Sequence, residues 1–390
     1  MKILYISPDP NMNLSDPRGY SIHISELIQA FKKIGNDVFT VIAGNSSQNN
    51  SNGKHQRTVA DYVPRKLSET AHSIKDIIYD HRFYFQAKKT LLATSPDVIY
   101  ARYVAYHQSS VNLSKKYAVP IIVEVNAFVS EREIYYGKRS RRFGRKIEQK
   151  IFKNADALVV VSNVLKKGLM KMGIPGSKIH VIPNAADSEK FNPEISAEPI
   201  QKKYNLNNKT IVGFVGSIEK RHKIQHLLDA FRASVDKTKN LCLLIVGDGS
   251  KRKEYEDYVT KNNLSDHVIF TGSVNFSDIP QYLAAMDIAV IPSTEKHCSP
   301  IKLFEYMAMG KAVVAPKINT ITEIATHKKD AYIFEEGRVD SLSNVLLYLH
   351  KNIGMRKQLG LNARQTIIKN HTWEKNAERT IELFSKIKFR

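Results

Sequence analysis

Residues 299–310 read Ser-Pro-Ile-Lys-Leu-Phe-Glu-Tyr-Met-Ala-Met-Gly and run into the apolar segment KAVVAP. Ser299 suits a helix N-cap, and Pro300 suits the first helical position, where its missing N–H costs nothing. Lys302 and Glu305 are then three apart, on one face near the start of the helix. The unsatisfied N–H groups of a first turn, the positive end of the helix dipole and the Lys302 ammonium together favour a bound anion. Glu305, one turn further along, can accept hydrogen bonds from vicinal hydroxyls such as those of a ribose. The same spacing also suits an ordinary amphipathic helix with a surface ion pair, so this segment alone leaves both readings open.

What is missing narrows the chemistry. No GxGxxG follows a strand pattern and no GxxxxGK[ST] occurs, which speaks against a dinucleotide cofactor and a P-loop. No Asp-x-Asp pair, HExxH or GxSxG is present, so no recognisable metal site or serine-hydrolase elbow is expected. Gly247-Asp248-Gly249 reads as a tight turn. Two cysteines, Cys242 and Cys298, are too few for a disulfide framework or a four-thiolate zinc site. A phosphorylated ligand would have to be held by side-chain cations and helix N-termini, with no metal and no cofactor.

The elements that position these residues follow from length and pattern. With 390 residues the chain should form two or three domains, and its 42% hydrophobic content suffices for full cores. An excess of 59 Lys and Arg over 38 Asp and Glu gives a net charge of +21, which predicts an anionic partner. The opening MKILYIS reads as a first strand, and no apolar run approaches the ~18 residues that span a bilayer, so a soluble protein of a reducing compartment is expected.

Short apolar runs at 2–7, 37–43, 97–100, 121–125, 157–162 and 179–183 alternate with helix-length segments such as 21–34. The scheme repeats at 210–215, 241–246, 268–272, 288–292, 312–315 and 331–334, with helices at 224–234 and 300–309. Continuous apolar strands alternating with helices predict two doubly wound parallel sheets, an α/β architecture of two Rossmann-like domains facing a cleft. The expected division is a first domain over 1–190 joined by a last helix at 372–390, a linker at 191–209, and a second domain over 210–371. The polar stretch 45–57 reads as a mobile loop. Ligands of open α/β sheets bind at the carboxyl ends of the strands.

The segment at 299–310 resembles the donor-binding signature of retaining GT-B glycosyltransferases of the family-4 type, in a sub-branch with the pattern S-P-x-K-x-x-E-Y-M-A-x-G-K/R-x-V-V. Other stretches resemble the same family in order along nearly the whole chain. Arg18 to His23 (RGYSIH) is similar to the glycine-bearing loop and helix start that face donor phosphates and acceptor, including Gly19 and Tyr20. Residues 123–127 (VEVNA), 181–184 (VIPN) and 215–222, from Val215-Gly216-Ser217 to His222, resemble successive turns of that fold, and Thr372-Trp373 opens its last helix. The resemblance implies a donor site of Gly19, Tyr20, Gly216, Ser217, Arg221, His222, Val274, His297, Ser299, Pro300, Ile301, Lys302 and Glu305.

Several positions depart from the family pattern. Its usual Glu eight residues before the ribose-binding Glu is His297 here, with Glu295 two positions off. Its usual Arg and Lys after the second-domain glycines align with Ser217 and His222, so the phosphate cations are sought in His222, Lys302, Arg221 or Lys223. Asn126 stands where many relatives place a histidine, leaving Glu124 and His23 as the nearest groups for the reacting sugar.

Residues 138–153 (KRSRRFGRKIEQKIFK) carry eight Lys or Arg and one acid, Glu148, with Phe143, Ile147 and Ile151 spaced by four. This patch, with Arg139, Arg141, Arg142, Arg145 and Lys146, suits an anionic surface such as membrane headgroups or a polyprenyl-diphosphate acceptor. A helix whose apolar stripe packs on the sheet while its charges are solvated gives the same sequence. The expected partners are therefore a nucleotide sugar, a glycan or lipid-linked acceptor and the inner face of the cell membrane; no nucleic-acid module is recognisable. The reaction implied is metal-independent transfer from a nucleotide sugar, a UDP-sugar by analogy, into cell-envelope or extracellular polysaccharide. Two other readings stand beside it: a sugar-nucleotide epimerase on the same architecture, and a degenerate, non-catalytic scaffold.

Overall fold

The computed structural model describes residues 1–10, 12, 14, 19–44, 65–131 and 138–388. The expected loop over 45–57, and Arg18, lie outside the described residues. The chain divides into two compact units, one of Met1–Pro183 with Glu374–Arg390, the other of Asn184–Trp373.

The first unit holds six parallel strands: β1 Lys2–Ser7, β2 Asp37–Ile42, β3 Val98–Arg102, β4 Ile121–Val125, β5 Ala157–Val160 and β6 Ile179–Val181. Their order is β2-β1-β3-β4-β5-β6, so the winding reverses between β1 and β3. Among its helices are α1 Gly19–Lys33, α2 Arg65–Thr94, α3 Ser109–Tyr117 and α4 Lys138–Asn154. The second unit's strands are β7 Thr210–Val215, β8 Leu241–Val246, β9 Val268–Phe270, β10 Ile288–Val290, β11 Ala312–Pro316 and β12 Tyr332–Phe334. They lie in the order β12-β11-β10-β7-β8-β9, with the reversal between β7 and β10. All the paired strands run parallel, and β4 and β8 are buried along their whole length, as required where helices cover both faces.

Each reversal opens a crevice at the carboxyl ends of its neighbouring strands. In the first unit those ends carry Arg102 and Glu124, which are register partners. In the second, β7 ends beside Gly216 and the chain leaving β10 leads into the helix Ile301–Ala308.

Two expectations about elements are corrected. Residues 191–209, read as a linker, belong to the second unit: they form the helix Glu198–Tyr204 and bury Phe191, Ile200 and Leu206 in its core. Those apolar anchors are too irregularly spaced to show a period. The helix expected over 300–309 runs from Ile301 to Ala308, and its N-cap is Pro300, which carries no side-chain cap. The Ser299 hydroxyl instead accepts the Asn184 backbone N–H at 3.1 Å.

The last helix, Trp373–Lys388, is mostly part of the first unit. Phe384 packs against Phe31 and Tyr100 there, with ring centroids 6.4 and 6.3 Å apart, and Lys33 bridges to Glu374 at 2.9 Å. Among the described residues no helix is long and apolar enough to cross a membrane.

Candidate functional site

In the second unit, the anion site expected at the start of the Ile301–Ala308 helix is built by one tyrosine and one glycine. The Tyr306 hydroxyl accepts the Val215 N–H at 2.7 Å and lies 3.3 Å from the Val215 carbonyl, which pins the helix to the last residue of β7. Lys302 precedes Tyr306 by four residues, one turn back on the same face, and so reaches over the β7 turn. That turn is Gly216, at φ +143°, and a Cβ there would stand 2.6 Å from the Lys302 Nζ. A side chain there would strain the backbone and have to displace the ammonium, so glycine suits the position. Gly247 and Gly249 pack the neighbouring turn directly against residues 216–218, in keeping with a tight turn rather than a ligand loop.

The Lys302 Nζ lies 4.2 Å over the Phe214 ring, is buried from solvent, and has no hydrogen-bond partner. Burial of an uncompensated ammonium is costly, and a group so placed tends to lose its proton instead. Burial, aided by the charge of Arg221 and opposed by Glu305, brings the Lys302 pKa down to about 7. Beside it, His222 packs its ring 5.9 Å from Phe214, and its Nδ1 is likewise buried without a partner. Burial first, then the charges of Lys302 and Arg221, lower the His222 pKa to about 2. His222 is therefore a neutral imidazole rather than the cation sought from sequence, and its ring already bonds the Ser293 backbone, so it brings no charge to a phosphate. The formal charges at this turn belong to Lys302 and to Arg221, which reaches Ser217 Oγ at 3.4 Å. Glu305 is buried on the same helix, only 6% exposed.

The other expected donor residues fall as follows. Ser299, Pro300 and Ile301 form the entry to the helix, with the Leu303 N–H already bonded to the Pro300 carbonyl at 3.0 Å. Val274 is half-buried against the second unit's core. His297 lies in the loop before Ser299, where Glu295, His297 and Cys298 bring one ligand-type atom each to within 4.8 Å of one another. Sequence reading took His297 and Cys298 singly and missed this grouping. An N, a thiolate S and a carboxylate O are a donor set that suits zinc.

In the first unit, Glu124 at the end of β4 is fully buried and surrounded by donors. Its Oε2 meets His23 Nε2 at 2.9 Å and the Tyr100 hydroxyl at 2.8 Å, and its Oε1 accepts from Arg102 at 2.8 Å and from the Asn126 side-chain amide. Burial alone would raise this carboxyl's pKa, but His23, Arg102 and Asn126 together hold it well below the ordinary carboxylate range. The three residues singled out for the reacting sugar, His23, Glu124 and Asn126, are thus brought together, although His23 is 101 residues from Glu124. Tyr100 was missed because it read as part of the apolar strand 97–100, and Arg102 because it fell beyond that strand; in the structure the strand runs on to Arg102, level with Glu124 on the next. Gly19 and Tyr20 lie at the start of α1, one turn before His23.

The basic patch lies on α4. Ile147 and Ile151 are buried in the first unit's core, whereas Phe143 is exposed together with Arg142, Arg145 and Lys146; Arg141 is half-buried and Arg139 lies outside the described side chains. The stripe of three is therefore split, two residues inward and one outward. Glu148, the helix's only acid, is buried and accepts from the Tyr103 hydroxyl at 2.8 Å and the Val129 N–H at 2.9 Å.

Comparison with known proteins covers nearly the whole chain. Residues 17–190 match the model of Glycosyltransferase Family 4, and residues 196–366 that of Glycosyl transferases group 1. An uncharacterised glycosyltransferase of Methanocaldococcus jannaschii is 25% identical over 92% of this chain and 91% of its own length. Another, YqgM of Bacillus subtilis, is 24% identical over 95% of this chain and 94% of its own. Among solved structures, Anabaena HepE in complex with UDP superposes with a TM-score of 0.72 at 18% identity, covering 99% of this chain and 100% of that one.

Proposed function

Because the chain belongs to the family-4 glycosyltransferases with the GT-B fold, we propose that it transfers a sugar, with retention, from a UDP-sugar to a growing cell-envelope or extracellular polysaccharide. The acceptor is a glycan, free or carried on a polyprenyl diphosphate. The observation that carries this reading is the Lys302 ammonium, its Nζ buried and unpartnered in the first turn of a helix and beside Gly216. A protein keeps so costly a group where an anion completes it.

In the reaction, the bond between the sugar's anomeric carbon and the diphosphate oxygen breaks as the acceptor hydroxyl bonds to that carbon. Negative charge gathers on the departing diphosphate. Lys302, Arg221 and the helix N–H groups meet it, and removal of one such donor typically costs about 2.7–4 kcal/mol of barrier lowering. These groups serve in place of a metal. Glu305 accepts from the ribose hydroxyls. The acceptor's proton passes to the leaving diphosphate on the same face of the sugar. Glu124 favours this front-face course over a covalent intermediate: both its oxygens are already engaged by four donors, so it serves as a buried anion that orients His23 and Asn126. The surplus of basic residues on α4 supports work at the inner face of the cell membrane.

Thermal shift against UDP-, GDP- and ADP-sugars tests the reading. The correct donor at a hundredfold its Kd should add about 2.7 kcal/mol to the stability of the native state. Lys302→Ala and Glu305→Ala should each remove most of that shift, and EDTA should leave both shift and turnover unchanged. A shift that survives both substitutions sinks the donor site, and turnover lost to EDTA and restored by zinc would move attention to Glu295, His297 and Cys298.

A further inference from the structure

Eleven large apolar side chains stand out as exposed among the described residues, and five of them, Ile74, Ile77, Ile78, Phe85 and Leu92, lie on α2. Ile74, Ile78, Phe85 and Leu92 are spaced by four, seven and seven residues, so they form one stripe along a single face, each more than half exposed. From Ile74 to Leu92 that stripe is about 27 Å long at 1.5 Å per residue. The opposite face is the packed one. Phe83, Ala87 and Leu91 enter the first unit's core, and Asp80 accepts the backbone N–H groups of Gln108 and Ser109 at the start of α3.

Charge sorts across α2 in the same way. Helical periodicity sets Lys75, Arg82 and Lys89, each seven apart, along one border of the stripe, and His81 and Lys88 along the other. The acids of this stretch, Asp76 and Asp80, fall on the inward side, Asp80 buried and Asp76 close enough to Tyr106 to add to the rise in its pKa that burial causes. The neighbouring α4, packed against α2, presents exposed Phe143 with Arg142, Arg145 and Lys146, and the Phe143 ring lies 6.4 Å from that same Tyr106.

We infer that the outward face of α2 is a membrane-docking surface, its stripe seated at the acyl boundary of an anionic bilayer with the flanking bases on the headgroups. An exposed apolar ridge edged by Lys75, Arg82 and Lys89 on one side and Lys88 on the other has the chemistry of an interfacial helix. A second copy of the chain is the alternative occupant, but pairing this face with itself would bring base against base, with no outward acid among the described residues of α2 to compensate. The inference rests on the membrane reading above and deepens it: α4 supplies charge and the single exposed ring of Phe143, whereas α2 supplies most of the area that enters the bilayer.

Co-sedimentation of the full chain with vesicles tests this, using neutral phosphatidylcholine and the same lipid mixed with phosphatidylglycerol. The wild type should bind the anionic vesicles at least tenfold more tightly, and part of that binding should survive raising salt from about 0.1 to 0.5 M, where bare charge attraction is screened. Phe85→Ser with Leu92→Ser should weaken binding at least tenfold and remove the salt-resistant part. Arg142→Glu with Lys146→Glu should reduce the salt-sensitive part and spare the rest. The α2 variant should keep the wild-type thermal shift with the donor sugar nucleotide, which shows that it is folded and judges the donor site separately. Wild-type vesicle binding by the α2 variant overturns the inference. So does equal binding to neutral and anionic lipid, or a lipid-free dimer that the α2 substitutions dissociate in sedimentation velocity.

Discussion

Lys302 holds a charge that the protein by itself does not satisfy, and its pKa near 7 ties donor binding to pH. Below pH 7 the ammonium is already formed, and a diphosphate finds it ready. Above pH 7 the free protein carries a neutral amine, so binding must take up a proton, and affinity should fall by up to tenfold per pH unit until the pKa of the complex is passed. Calorimetry of the donor sugar nucleotide at pH 8, in two buffers of different ionisation heat, should show proton uptake approaching one. Lys302→Arg keeps its charge at all these pH values and should bind with a flat pH profile. A flat profile in the wild type would mean that this amine is not the group that meets the diphosphate. The importance of Lys302 was legible in the sequence from its place near a helix start. Its altered pKa was not, because Phe214, Gly216 and Arg221 surround it from a strand and turn some 80 residues away. The same holds for His222, whose neutrality comes from burial beside Lys302.

The helix Ile301–Ala308 and the turn after β7 act as one element, held by Tyr306 and made possible by Gly216. Gly216→Ala strains a backbone at φ +143° and thrusts a methyl into the Lys302 ammonium. It should cost about 1–3 kcal/mol of stability and at least tenfold in donor affinity. Gly337→Ala is the control: φ is +78° with nothing within 4 Å of the added carbon, so it should cost stability alone. Equal losses of affinity in the two variants, by titration of the same sugar nucleotide, would detach the turn from the donor site. At this scale the strands and major helices were legible because buried parallel strands read as continuous apolar runs. The ends were less so. Ser299 has the chemistry of an N-cap, yet its hydroxyl is taken by Asn184, a partner 115 residues away.

The whole molecule divides into two units, and the last helix belongs almost wholly to the first. Phe384 is almost fully buried against Phe31 and Tyr100, so Phe384→Ala should cost about 3–5 kcal/mol. In calorimetry that loss should fall on the first unit's unfolding, while the transition protected by donor stays in place; a drop in the donor-protected transition instead would refute the assignment of this helix. Sequence by itself determined the α/β class, the two doubly wound sheets and the Ser299–Glu305 segment, because these depend on periodicity and near neighbours in the chain. Tertiary structure alone decided which cations are charged, that Glu124 is saturated by four donors, that residues 191–209 join the second unit through Phe191, Ile200 and Leu206, and that α2 shows an apolar stripe to solvent. Charge state, unfilled hydrogen bonds and exposure are set by whatever packs around a group, and those neighbours arrive from distant parts of the chain.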